Sequence, residues 1–138
     1  MQRDVSTRIL AALALAIVGI SCASSPGPVT VDSSESATAI LLDETLASKI
    51  LLKAQAGQRD PSTGAFVAQT QITNRTFEWL ELECRTLFKS EGGATLETSP
   101  WKAIRLDPAS RVTYTAPSLK PSANRFITQI RLAQKPSK

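Results

Sequence analysis

Residues 78–89 alternate apolar and polar side chains, and this constrains the fold more than any other feature of the chain. Leu80, Leu82, Cys84, Thr86 and Phe88 take one side of a period of two, and Glu81, Glu83 and Arg85 take the other. A helix would scatter both sets around its circumference, whereas an extended strand sorts them onto opposite faces. The segment is therefore a strand with one face in a core and one in water.

The pattern recurs along the chain. Residues 66–73 place Phe66, Ala68, Thr70 and Ile72 against Val67, Gln69, Gln71 and Thr73. Residues 124–132 place Phe126, Thr128, Ile130 and Leu132 against Arg125, Ile127, Gln129 and Arg131. Residues 50–56 and 101–106 are less regular strands, and 111–116 carries Val112 and Tyr114 inward. Ile40-Leu41-Leu42 reads as a short first strand, and residues 43–48 as a helical turn. Asp60-Pro61-Ser62-Thr63-Gly64, Asn74-Arg75-Thr76, Glu91-Gly92-Gly93 and Asp107-Pro108 separate these runs, and Pro117 and Pro121 bracket a loop. Proline fixes φ and glycine admits positive φ, so such clusters turn the chain. Short strands between turns, without a helix longer than two turns, predict an all-β fold. The expected architecture is an antiparallel two-sheet immunoglobulin-like sandwich of six or seven strands.

The N-terminus has a different grammar. Arg3 and Arg8 precede an apolar run over 9–20, which ends in Gly19-Ile20-Ser21-Cys22. A basic start, a short apolar middle, small residues and then cysteine is the layout of a bacterial lipoprotein signal. The run is 12 residues, short of the roughly 20 that a helix needs to cross a bilayer. The chain thus divides into a signal peptide over 1–21, lipidated Cys22 with a Ser/Pro-rich linker through 38, and a sandwich domain over 39–138. Ser21-Cys22-Ala23 also suits an ordinary signal peptidase, whose cut after Ala23 would release a soluble periplasmic protein. On the lipoprotein reading, Ala23 stands where an aspartate would retain the protein at the inner membrane. The expected location is the outer membrane, lipid-anchored and facing the periplasm.

The order of motifs carries a family resemblance. Residues 68–76 end in Asn74-Arg75-Thr76, then come 80–88, a glycine-bearing turn, Trp101-Lys102-Ala103-Ile104-Arg105-Leu106-Asp107-Pro108, and a last strand over 126–132. Behind a lipoprotein signal, this order resembles the YcfL-type family of small bacterial envelope lipoproteins over roughly residues 46–132. Cys84 and Leu87 depart from it, since the family commonly has aromatics in that strand. Ser90-Glu91-Gly92-Gly93 likewise replaces an Asp-x-x-Gly turn. The resemblance implies an immunoglobulin-like sandwich without an assigned activity, and an association with peptidoglycan upkeep.

Composition narrows the chemistry. There is no histidine, which removes the commonest general base and the commonest zinc ligand together. Once Cys22 is lipidated, Cys84 has no partner within the chain for a disulfide or a cysteine-rich metal site, which leaves a reactive thiol or an intermolecular disulfide as the alternative to a core role. It reads as a small core residue. Glu81 and Glu83 share a strand face about 7 Å apart, a spacing that superficially suits an acid–base pair; beside Arg85 they read as a solvated strand face. No phosphate-binding glycine loop is present. The sequence predicts neither an enzyme, a cofactor nor a metal site.

Binding candidates remain. From residue 98 onward eight basic side chains face Asp107 alone, and Arg111, Arg125 and Arg131 occupy outward strand positions. They define a candidate basic sheet face for anionic envelope polymers. Trp79 lies opposite Leu80 and Leu82, either exposed in a contact patch or tucked beneath a loop. Trp101, after Pro100, is expected to plug one end of the core. The expected partners are the membrane, through the lipid anchor, and an envelope protein or peptidoglycan; nucleic acid is not among them.

Overall fold

In the computed structural model, which describes residues 29–34 and 37–134, the strands and one helical turn follow in this order. They are β1 (Val29–Ser34), β2 (Ala37–Leu41), α1 (Leu46–Lys49), β3 (Ile50–Arg59), β4 (Phe66–Asn74) and β5 (Leu80–Lys89). After them come β6 (Thr95–Thr98), β7 (Lys102–Leu106), β8 (Arg111–Pro117) and β9 (Arg125–Leu132). The signal peptide and Cys22 lie outside the described residues.

The strands form two sheets. One is ordered β1-β2-β9-β5-β6, with β7 beside β6 on the same edge of β5; the other is β3-β4-β8. All pairs are antiparallel except β2 with β9, which run parallel from Ala37↔Phe126 to Leu41↔Ile130. The sandwich is thus all-β with one mixed sheet. β6 and β7 divide β5 between them, one pairing residues 87–89 and the other 80–84. Ser99 bridges the gap, donating its N–H to the Thr86 carbonyl and accepting the Thr86 N–H on its Oγ, both at 2.8 Å.

Two strands exceed the sequence expectation. β6 is four residues long and amphipathic only weakly, so its alternation is too short to register. β1 and the start of β2 fall inside the stretch read as a linker over 22–38. Its Ser- and Thr-rich residues pair through the backbone, Val29↔Leu41 to Ser34↔Ala37, and backbone pairing leaves little hydrophobic signature.

Period-2 patterning sets the core. β4 and β5 bury every alternate residue, Phe66 to Asn74 and Leu80 to Phe88. Phe66 meets Phe88 edge-on, with centroids 6.4 Å apart, and Phe126 at 6.2 Å. Full burial of a side chain of this size contributes about 1.5–3 kcal/mol. Gly57 lies where a Cβ would come within 2.4 Å of the Phe66 ring, so β3 approaches the aromatic cluster by lacking a side chain.

The registers define two ends. At one, loops 42–49, 75–79 and 107–110 gather where β5 begins and β9 finishes; we call this the near end. At the other lie loops 60–65, 90–94 and 118–124. Buried Asn74 organises the near end: its Nδ2 donates to the Glu78 and Asp107 carbonyls at 2.8 and 3.0 Å. Its Oδ1 accepts the Thr76 N–H at 2.9 Å and the Thr76 hydroxyl at 2.8 Å. One amide thus ties two loops together. At the far end, Asp60 accepts from the Ser62 hydroxyl and N–H at 2.6 and 2.8 Å. These bonds, the hydroxyl's foremost, hold its carboxyl below the usual range.

Candidate functional site

The outer face of the six-stranded sheet carries two tryptophan–arginine stacks. Trp79, just before β5, lies beneath the Arg105 guanidinium of β7 at 4.0 Å from the ring centroid. It is exposed, the first of its two expected placements. Trp101 does not plug the core. It stands one residue before β7, between Arg85 at 4.4 Å and Arg131 at 4.0 Å. Leu106 and the β5 apolar row already fill the interior, so Trp101 packs outside, where guanidinium faces are available. Between the stacks, in register, a shallow cleft of about 320 Å³ is lined by Glu81, Leu82, Ala103, Ile104, Arg105 and Ala133.

The three candidate arginines do not form one face. Arg131 is engaged twice, with Trp101 and with Glu83, which it meets at 2.7 Å. Arg125 shares its side of β9 but lies near the far end, 3.4 Å from the Glu91 carbonyl. Arg111 is on β8, in the other sheet, beside Thr73. The outward positions were legible in the sequence; that they belong to different sheets was not.

Glu81 and Glu83 share the outer face as expected, but Glu83 is committed to Arg131. Cys84 is fully buried in the core cluster, and burial pushes its thiol up to about 12. Among the described residues no group of three or more His, Cys, Asp or Glu side chains could hold a metal ion.

A second concavity opens where the edges of the two sheets face each other. It is a groove of about 380 Å³ between the β6–β7 edge and β8, walled by Pro100, Lys102, Tyr114, Pro117 and Leu119 among others. Tyr114 stands inside, its oxygen accepting from Thr86 Oγ1 at 3.3 Å. At the far-end mouth, Glu97 Oε2 accepts from Ser118 Oγ and the Leu119 N–H, each at 2.8 Å. Leu119 is left 84% exposed. Pro117 and Pro121 marked this loop in the sequence, but no local pattern shows that it borders a second sheet's edge.

No family model and no curated protein matches the chain. Among solved structures it is similar to a DUF1425 family member from Shewanella sp. pv-4, with a TM-score of 0.56 at 23% identity. That match covers 81% of this chain and 94% of the other. A second match, Campylobacter jejuni cj0090, has a TM-score of 0.49 at 15% identity, covering 60% and 86%. The first likeness establishes a shared fold.

Proposed function

We propose that this protein is a non-catalytic envelope lipoprotein of the YcfL type, anchored in the outer membrane through Cys22, whose sandwich holds an extended segment of an envelope protein partner. The groove between the β6–β7 edge and β8 carries this reading. Among the described residues both walls are edge strands, which present backbone N–H and C=O groups for pairing, and Tyr114, Pro117 and Leu119 supply apolar lining. Such an edge recognises an extended peptide by adding it as a strand. The sequence resemblance to YcfL-type lipoproteins supports the placement in the envelope, and the fold shared with a DUF1425 family member supports the sandwich alone. A passive basic face is less well supported, because its three arginines divide between two sheets and Arg131 is paired with Glu83.

Photo-crosslinking from position 119 in the native envelope tests the proposal. A discrete adduct that saturates, persists in moderate salt and is lost on Tyr114→Ala would support it. Retention of the adduct when Arg111, Arg125 and Arg131 are neutralised would agree. Diffuse, salt-sensitive capture abolished by those arginine changes would overturn it in favour of polymer contact.

A further inference from the structure

We infer that the near end of the sandwich rests on the bilayer that holds the lipid anchor, with Phe77 and Trp79 seated at the headgroup level. The inference depends on the anchored reading above and adds an orientation to it.

Two independent observations meet here. The first is where apolar surface is left open. Five large hydrophobic side chains are exposed among the described residues: Leu42, Leu51, Phe77, Trp79 and Leu119. Four belong to the near-end half. Phe77 is 90% exposed and Trp79 55%, on the loop entering β5, and Leu42 is 41% exposed just after β2. Leu51 pairs with Thr73, one row from the end of β4. A tryptophan and a phenylalanine exposed two residues apart on one loop are the composition of an interfacial anchor, where an amphipathic ring sits between acyl chain and water.

The second is the tether. Six residues, 23–28, separate Cys22 from Val29, a reach of roughly 25 Å at full extension. Val29 lies level with Leu41, Ile130 and Cys84, four residues above the start of β5. From there β1 runs toward the far end, so Val29 is the end of the strand nearer the Phe77–Trp79 loop. The Leu80 level lies about 14 Å from Val29 along the strands, so the tether at its longest extends only about 10 Å past it. Little is left to hold the domain away, and the surface presented at that level is the Phe77–Trp79 loop.

The charges around the patch are mixed: Lys49, Arg75 and Arg105 with Asp43, Glu44, Glu78 and Asp107. The contact is therefore made by apolar insertion and is insensitive to salt. It also turns the Leu119 mouth of the groove away from the membrane.

The full-length lipidated protein in phosphatidylethanolamine–phosphatidylglycerol vesicles with brominated acyl chains tests this. Wild type is compared with Trp79→Phe, so the difference reports Trp79, and with Trp79→Phe/Leu119→Trp as a far-end reporter. The expected result is a blue-shifted Trp79 component quenched by bromine, unchanged in high salt, with position 119 unquenched. Acylated, vesicle-bound protein whose Trp79 is quenched no more than position 119 would overturn the orientation alone. Intact mass without acyl chains on Cys22 would end the anchored reading, and the orientation with it.

Discussion

In the middle of the core the Thr70 hydroxyl of β4 lies 2.8 Å from the Thr128 hydroxyl of β9, joining the two sheets by a hydrogen bond sealed from water. Among the described residues neither hydroxyl has another hydrogen-bond partner, so each depends on the other. Removing one leaves a buried polar group unpaired, at a cost of about 1–3 kcal/mol, whereas replacing both with apolar isosteres is close to neutral. Thr70→Val and Thr128→Val should each lower the urea midpoint, and the double variant should recover most of the loss. Additive losses in that cycle would show that the bond does not couple the sheets.

Asn74 gives the near end a sharper test. Its Nδ2 donates to two carbonyls and its Oδ1 accepts twice from Thr76. Asn74→Asp keeps the shape and the acceptor but removes both donors, and sets a carboxylate against two carbonyl oxygens. It should destabilise by at least about 2 kcal/mol at neutral pH. Part of the loss should return as the carboxylate is protonated, which equilibrium unfolding at descending pH would measure.

Cys84 predicts a pH dependence in the alkaline range. Burial raises its folded-state value to about 12, from a reference of 9.0. The folded chain therefore keeps the thiol proton where the unfolded chain has released it. The associated stability is intact below pH 9 and declines as pH rises toward 12. Cys84→Ala should remove this slope. In the native protein the thiol should resist a disulfide reagent at pH 8 and react promptly in urea; rapid native reaction would contradict its burial.

Gly57 is a steric prediction. A methyl group there would meet Phe66 Cζ at 2.4 Å and Phe126 Cε1 at 3.2 Å, and both rings are held in the core. Gly57→Ala should cost about 1–3 kcal/mol through overpacking. Combining it with Phe66→Leu should give back part of that cost, as read by thermal melting.

These tests also mark where local reading stops. The β5 row of Leu80, Leu82, Cys84, Thr86 and Phe88 is buried as its alternation predicts, because pleat parity is a property of each strand alone. Trp101 shows the opposite. After Pro100 at a strand entrance it reads as a core plug, yet Arg85 and Arg131, brought together from β5 and β9, hold it outside. Cross-strand neighbours depend on register, which no single segment encodes.

The chain by itself determined its all-β character, most strand boundaries, the inward faces of β4, β5 and β9 and the absence of histidine chemistry. These follow from backbone geometry and composition, which act over a few residues. Tertiary structure decided the rest. It set β2 parallel to β9, drew β1 out of an apparently featureless linker, and split three outward arginines between two sheets. It also opened a groove between two strand edges. Each of these depends on which distant strand lies alongside, a choice made by the packing of the whole core.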